Sequence, residues 1–188
     1  MILPCFLERV EQAIPNGGGY EFLEHFSWDI EDKVKYIKIA ANQGYAPAMR
    51  RLFLYERGKG DEGAIKWANK AMKLGYHRAA YSLYVIYRNN SDDKASKAET
   101  IELLKKAFYY SVVSALLKGG DYENWITTRT LRDDQGNKVL DENGYSMKEV
   151  LITKAEQAEI EQQAKVFLEG VETNLFLNKN SSDLFTFE

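Results

Sequence analysis

Apolar residues recur along this chain at spacings of three and four, the period of a helix that buries one side. The pattern then repeats itself. KYIKIAANQGYAPAMRRL (Lys35 to Leu52) and KWANKAMKLGYHRAAYSL (Lys66 to Leu83) superpose after a shift of 31 residues. The shift sets Lys35 on Lys66, Tyr36 on Trp67, Ala40 on Ala71, Gly44 on Gly75, Tyr45 on Tyr76, Ala48 on Ala79 and Leu52 on Leu83. So many coincidences at one spacing mark an internal repeat.

The repeat reads as a helix pair. Ala40 and Ala71 allow neighbouring helices to approach closely, and Gly44 and Gly75 suit the left-handed position that ends a helix. The next helix starts almost at once, at Pro47 in one copy and near Arg78 in the other, and Pro is tolerated in a first turn. A connection this short predicts antiparallel helices. Ala48 to Arg57 forms one helix, broken by Gly58-Lys59-Gly60, and Asp61 caps a helix that runs to Leu74. The next helix carries Ala79, Leu83 and Tyr87 at four-residue spacing, and Asn89 to Asp92 makes a polar loop. A longer helix begins near Lys97, passes through Ile101, Leu104, Ala107 and Phe108 to about Leu117, and ends at Gly119-Gly120.

These residues resemble the Sel-one-like repeat, a relative of the tetratricopeptide repeat. Tyr55, Gly58, Gly60, Asp61, Ala64, Trp67, Lys70, Ala71 and Gly75 follow that family's order; Lys106, Ala107 and Tyr110 resemble one of its elements again, and Ile39, Ala40, Ala41 and Gly44 an earlier one. Phe53 and Tyr84 stand where the family prefers a helix-packing glycine, and the third copy lacks the Gly-x-Gly turn. The likeness covers residues 29–119. It implies an all-α fold, a right-handed α-solenoid of antiparallel helix pairs, and a scaffold, adaptor or inhibitor that binds proteins in its inner groove.

The flanks differ. Ile2 to Ile14 has a helical period, Gly17-Gly18-Gly19 interrupts it, and Tyr20 to Phe26 reads as a short helix, so residues 1–28 are expected to cap the array. In residues 120–188, turn signals at Asp134 to Asn137 and Glu142 to Gly144 predict a β-hairpin insertion that pairs Thr127–Leu131 with Lys138–Leu140. An isolated hairpin is marginal in water, so it should lie against the helices or a partner. Thr153 to about Leu177 is expected as a closing helix, followed by a polar tail.

Composition narrows the function. A net charge of −3 and a pI near 5.6 give no general field for nucleic acid, and Arg50, Arg51 and Arg57 read as a solvated helix face. The lone Cys5 excludes an internal disulfide and a cysteine-built zinc site. The opening MILPCFLERVEQ lacks the basic start of a signal peptide, and no apolar run approaches the ~20 residues that span a bilayer. A cytoplasmic protein is expected, or a periplasmic one if an export signal has been removed.

Catalytic groups are sparse. His25 and His77 have no partner at helical spacing, and the acid pairs sit in solvated sequence with nothing to raise one pKa. Gly17-Gly18-Gly19 lacks the Lys-Ser/Thr of a phosphate loop. No cofactor and no metal are expected, and the chain is read as non-enzymatic. A hydrolase using the Asp133–Asp141 hairpin is the alternative from another class. If the first helix of each pair lines an inner groove, then Arg50, Arg51, Phe53, Tyr81, Tyr84 and Arg88 lie near it, and Tyr and Arg are enriched at hot spots. The competing reading is that half of the rings fill space left by the missing glycines. The most concrete expectation is an immunity-type inhibitor of a cognate secreted toxin, with an adaptor in a signalling or envelope assembly as the second reading.

Overall fold

A computed structural model describes residues 29–57, 61–92, 96–122, 125–133 and 135–171. The expected N-terminal cap, the Gly58-Lys59-Gly60 break and the polar tail lie outside these residues. Among the described residues there are six α-helices: α1 (Ile30–Asn42), α2 (Ala46–Glu56), α3 (Asp61–Lys73), α4 (His77–Asp92), α5 (Lys97–Lys118) and α6 (Lys154–Glu169). Two short strands, β1 (Thr128–Thr130) and β2 (Lys148–Val150), form an antiparallel sheet. The protein is therefore mostly helical with a small sheet. Its described residues fall into two compact units, one comprising 29–79 with Val171 and the other 80–170, so the division lies inside α4.

In the first unit α1 packs on α2, and α2 on α3. Asp29 caps α1 by accepting a hydrogen bond from the Glu31 amide at 2.6 Å. The helix ends where Gly44 takes φ +95°, with Tyr45 N–H bonded to Ala40 O and Gly44 N–H to Ala41 O, both at 3.1 Å. The end of α3 repeats this arrangement 31 residues on. Gly75 has φ +81°, Tyr76 N–H bonds Ala71 O at 3.2 Å, and Gly75 N–H bonds Met72 O at 2.9 Å. Both are Schellman closures, which satisfy last-turn carbonyls while turning the chain back. Ala40, Ala48, Ala64, Ala68 and Ala71 have no exposed surface, and Leu52 and Phe53 fill the space these small residues leave. Burying each of those two large side chains contributes roughly 1.5–3 kcal/mol.

In the second unit α5 packs against α6 around Leu104, Phe108, Val112, Ile160 and Ala164. Gly119, at φ +76°, ends α5. Beyond it, Tyr122 donates to Glu161 Oε1 at 2.6 Å and meets the Phe108 ring edge-on at 5.6 Å, which ties the connection to α6. A capping box opens α6: Thr153 Oγ1 accepts from Glu156 N–H at 3.3 Å, and Glu156 Oε2 accepts from Thr153 N–H at 2.8 Å. The closing helix stops at Glu169, short of the expected Leu177, because Gly170 interrupts it (φ −94°, ψ 2°).

The hairpin differs from expectation. Its sheet joins Thr128 to Val150, Arg129 to Glu149 and Thr130 to Lys148, pairing β1 with a strand the pattern did not predict. Of the expected pairing, the Val139 N–H to Leu131 O bond is present at 3.0 Å; the neighbouring bridge joins Arg132, one residue beyond the expected strand, to Lys138, and a second hairpin follows with a Leu140–Ser146 bridge. The cause is an eight-residue repeat. Leu131, Asp133 and Gly136 recur as Val139, Asp141 and Gly144, and Met147 opens a third copy. Gly136 and Gly144 both take positive φ, +84° and +82°, which suits the left-handed position of a tight hairpin. Three backbone bonds then close a ring: Leu131 N–H to Met147 O, Met147 N–H to Val139 O and Val139 N–H to Leu131 O, each 2.9–3.0 Å.

Candidate functional site

Of the six residues expected to bind a partner, two are core. Phe53 is 1% exposed and Tyr84 6%, so neither ring is available at the surface. Tyr81 is 52% exposed and leans on Tyr84 at 5.5 Å between ring centroids. Arg88 is half-buried, and its Nη1 reaches Ser91 Oγ at 3.4 Å within α4. Tyr81, Tyr84 and Arg88 belong to the second unit, whereas Arg50, Arg51 and Phe53 belong to the first.

Arg50 and Arg51 come together in one groove. Along α1, Ile30, Val34 and Ile37 follow at helical spacing, and α2 presents Arg50, Arg51, Leu54 and Tyr55 beside them. The resulting groove has a cavity volume of about 540 Å³. Val34 and Ile37 are buried and form its floor, while Ile30 (61% exposed) and Leu54 (49% exposed) stand open on its rim. Two exposed aliphatic side chains beside a concave apolar floor form a contiguous patch of the kind that marks a binding surface. Lys33, Arg50 and Arg51 also line it, and none of the described lining residues is acidic. Arg50 and Arg51 were among the expected residues; Ile30 and Leu54 were not. The i, i+4, i+7 spacing of Ile30, Val34 and Ile37 was the available signal.

A second cleft, of about 490 Å³, lies in the second unit among α4, α5 and α6. Tyr87 and Tyr110 stack at 5.4 Å with planes 7° apart, Tyr109 meets Tyr110 edge-on at 5.1 Å, and Lys106 Nζ sits 5.6 Å from the Tyr87 centroid. Lys105 bonds Glu156 at 2.9 Å and approaches Glu102 at 3.6 Å. Each charge reinforces the next. The hydrogen bond that Lys105 donates to Glu156, set against partial desolvation, raises the Lys105 pKa. The Thr153 backbone N–H and the Lys105 ammonium bring Glu156 down to about 2. Burial pushes the Tyr109 and Tyr110 phenols up. None of these four groups is poised to exchange a proton near neutral pH.

The hairpin carboxylates hold turns. Asp133 Oδ1 accepts from the Gln135 and Asn137 amides at 3.0 and 2.8 Å, and Asp141 Oδ1 accepts from the Asn143 and Tyr145 amides at 2.9 Å each. The Asn137 amide is the main reason that Asp133 lies below the usual carboxylate range, which suits a permanent anion and not a proton donor. Asp134, Cys5 and His25 lie outside the described residues. His77 opens α4 with its ring 6.3 Å from that of Tyr76. Among the described residues, no group of three or more His, Cys, Asp or Glu is placed to hold a metal ion, and no helix is long and apolar enough to cross a membrane.

In comparisons with protein-family models, with curated proteins and with solved structures, none matches this chain.

Proposed function

We propose that this chain is a non-enzymatic protein-binding module of the Sel-one-like type, a solenoid of helix pairs that acts by covering part of another protein. One observation carries the reading: the α1/α2 groove, where exposed Ile30 and Leu54 flank a buried apolar floor and three cations line the same surface. An arrangement of this kind suits contact with a shaped protein surface, since the apolar centre supplies affinity and the charges fix orientation. The saturated pairing of Lys105 with Glu156, and the use of Asp133 to hold a turn, favour binding over the hydrolase alternative.

The most specific form of the proposal is an immunity-type inhibitor that neutralises a cognate bacterial toxin or effector. It rests on the resemblance of residues 29–119 and is analogy. Co-expression tests it: the chain should rescue cells that make the toxin encoded beside its gene, and a single protein should co-purify with it. Several partners in the same purification would favour an adaptor. Turnover of a substrate that disappears in Asp141→Ala would overturn the binding reading.

A further inference from the structure

The ribbon between β1 and β2 holds two turns of the same construction. In the first, Asp133 Oδ1 accepts from the Gln135 and Asn137 amides, Gly136 N–H bonds Asp133 O at 2.9 Å, and Gly136 takes φ +84°. Eight residues on, Asp141 Oδ1 accepts from the Asn143 and Tyr145 amides, Gly144 N–H bonds Asp141 O at 3.0 Å, and Gly144 takes φ +82°. The residue before the glycine sets their chemistry apart: it is Gln135 in one and Asn143 in the other. The backbone nitrogen that follows an asparagine attacks its carboxamide through a five-membered ring. After glutamine the ring has six members and one more torsion to order, so closure is much slower. Glycine is also the least hindered nucleophile, and nothing lies within 4 Å of where a Cβ on Gly144 would stand. Residues Asp141 to Tyr145 are exposed, so water and base reach them. The Asn143 side-chain amide has no hydrogen-bond partner among the described residues. The sequence also contains Asn16–Gly17, which lies outside the described residues.

We propose that Asn143 is a deamidation site held in check by the Asp141 turn. Gly144 N gives its proton to solvent base and attacks Asn143 Cγ; a C–N bond forms, and the carboxamide nitrogen takes a proton and leaves as ammonia. Water then opens the succinimide. Cleavage of the bond between Cγ and Gly144 N gives aspartate, and cleavage of the original peptide bond gives isoaspartate, whose main chain runs through Cγ and is longer by one methylene. Nothing is oxidised or reduced, and water is the only reactant taken up. The restraint is chemical: the proton that must leave Gly144 N is the one donated to Asp141 O, while Asp141 Oδ1 holds the amides of Asn143 and Tyr145 on either side. Reaction therefore proceeds from the opened turn, at a rate scaled by the fraction of time it is open. The isoaspartate product fits the turn poorly, because its extra methylene falls between Asp141 and Tyr145, which are bonded across the turn at 2.8 Å, and turn length sets hairpin register.

The test incubates the folded full chain in mildly alkaline buffer and maps deamidation by peptide mass spectrometry, with enzymatic methylation of isoaspartate as a second readout. Position 143 should gain one deamidation, with isoaspartate in the product, while Gln135 stays unchanged. Asn143→Gln should remove the signal at that position. Asp141→Ala deletes both side-chain acceptor bonds and should speed the reaction at least about threefold, with the helical circular dichroism of the parent retained. The chain unfolded in urea should react faster than the folded one. Gln135→Asn places the susceptible pair in the other turn and should create a second site, which Asp133→Ala then accelerates. No reaction at position 143 in both the parent and Asp141→Ala, or equal rates in the two, overturns the proposal. An unfolded chain that reacts no faster than the folded one overturns it as well, and this comparison decides the matter if Asp141→Ala loses its helices. A Gln135→Asn chain that reacts only at position 143 also counts against it, because the shared turn would then not govern the reaction.

Discussion

Truncating Phe53 separates packing from recognition. The side chain is 1% exposed beside Leu52 and a group of alanines with no exposed surface, so nothing small is available to fill the space it leaves. Phe-to-Ala changes at such sites cost about 3–5 kcal/mol, the lost transfer energy plus the cavity. For a chain of this length that corresponds to a fall of roughly 6–20 °C in unfolding midpoint. Tyr81→Ala is the matched contrast. That ring is 52% exposed, and its main described contact is the Tyr84 ring at 5.5 Å, an aromatic pair worth about 0.5–1.5 kcal/mol. Thermal unfolding followed by far-ultraviolet circular dichroism should therefore place Phe53→Ala well below the parent and Tyr81→Ala within a few degrees of it. A Phe53→Ala protein as stable as the parent, yet unable to hold its partner, would refute the assignment of Phe53 to the core and restore it to the binding surface.

Three further outcomes follow from the second unit. Removing the Thr153 hydroxyl in Thr153→Ala should cost about 1 kcal/mol, read as a lower urea midpoint, because the capping box loses its acceptor for Glu156 N–H. Gly136→Ala and Gly144→Ala should each cost about 1–2 kcal/mol, since both sites have positive φ and no atom within 4 Å of an added Cβ, leaving backbone strain alone. Unequal urea midpoints for that pair would argue against equivalent turns. Glu149 and Glu156 have lowered folded pKa values, Glu149 chiefly through its hydrogen bond to Lys97. Their contribution is therefore present above the ordinary 4.5 and is lost as pH falls, for Glu156 between about 4.5 and about 2. Glu156→Gln should flatten the acid limb of a plot of unfolding midpoint against pH.

Most helices were legible because their ends are written in single residues; α4 was not read to its end, since it continues to Asp92 through the Asn89–Asp92 stretch expected as a polar loop. Gly44, Gly75 and Gly119 each sit at a left-handed closure, and Thr153 with Glu156 spells a capping box. The far end of α6 was misjudged because apolar residues continue at helical spacing past Gly170, and periodicity outweighed the glycine in the reading. The hairpin was half legible. Turn residues marked both tips, but Leu131, Val139 and Met147 look like ordinary strand residues until the eight-residue period is noticed. Arg50 and Arg51, chosen by residue type, line the groove, whereas Phe53 and Tyr84, chosen the same way, are buried. Residue type does not say which side of a helix is covered, and both rings turn inward. Ile30 and Leu54 stand at core-like spacing yet are open, which only the packed structure reveals.

The ring formed by Leu131, Val139 and Met147 also sets how this surface ribbon opens. Each of the three residues is donor to one neighbour and acceptor from the other, so no single bond can be broken without loosening the geometry of the remaining two. Much of the ribbon around them is exposed, with Tyr145 at 73% and Leu140 at 53%. The three amide protons should therefore exchange with solvent as one block, at a common rate set by concerted opening, while the amides at the two tips should exchange independently of them.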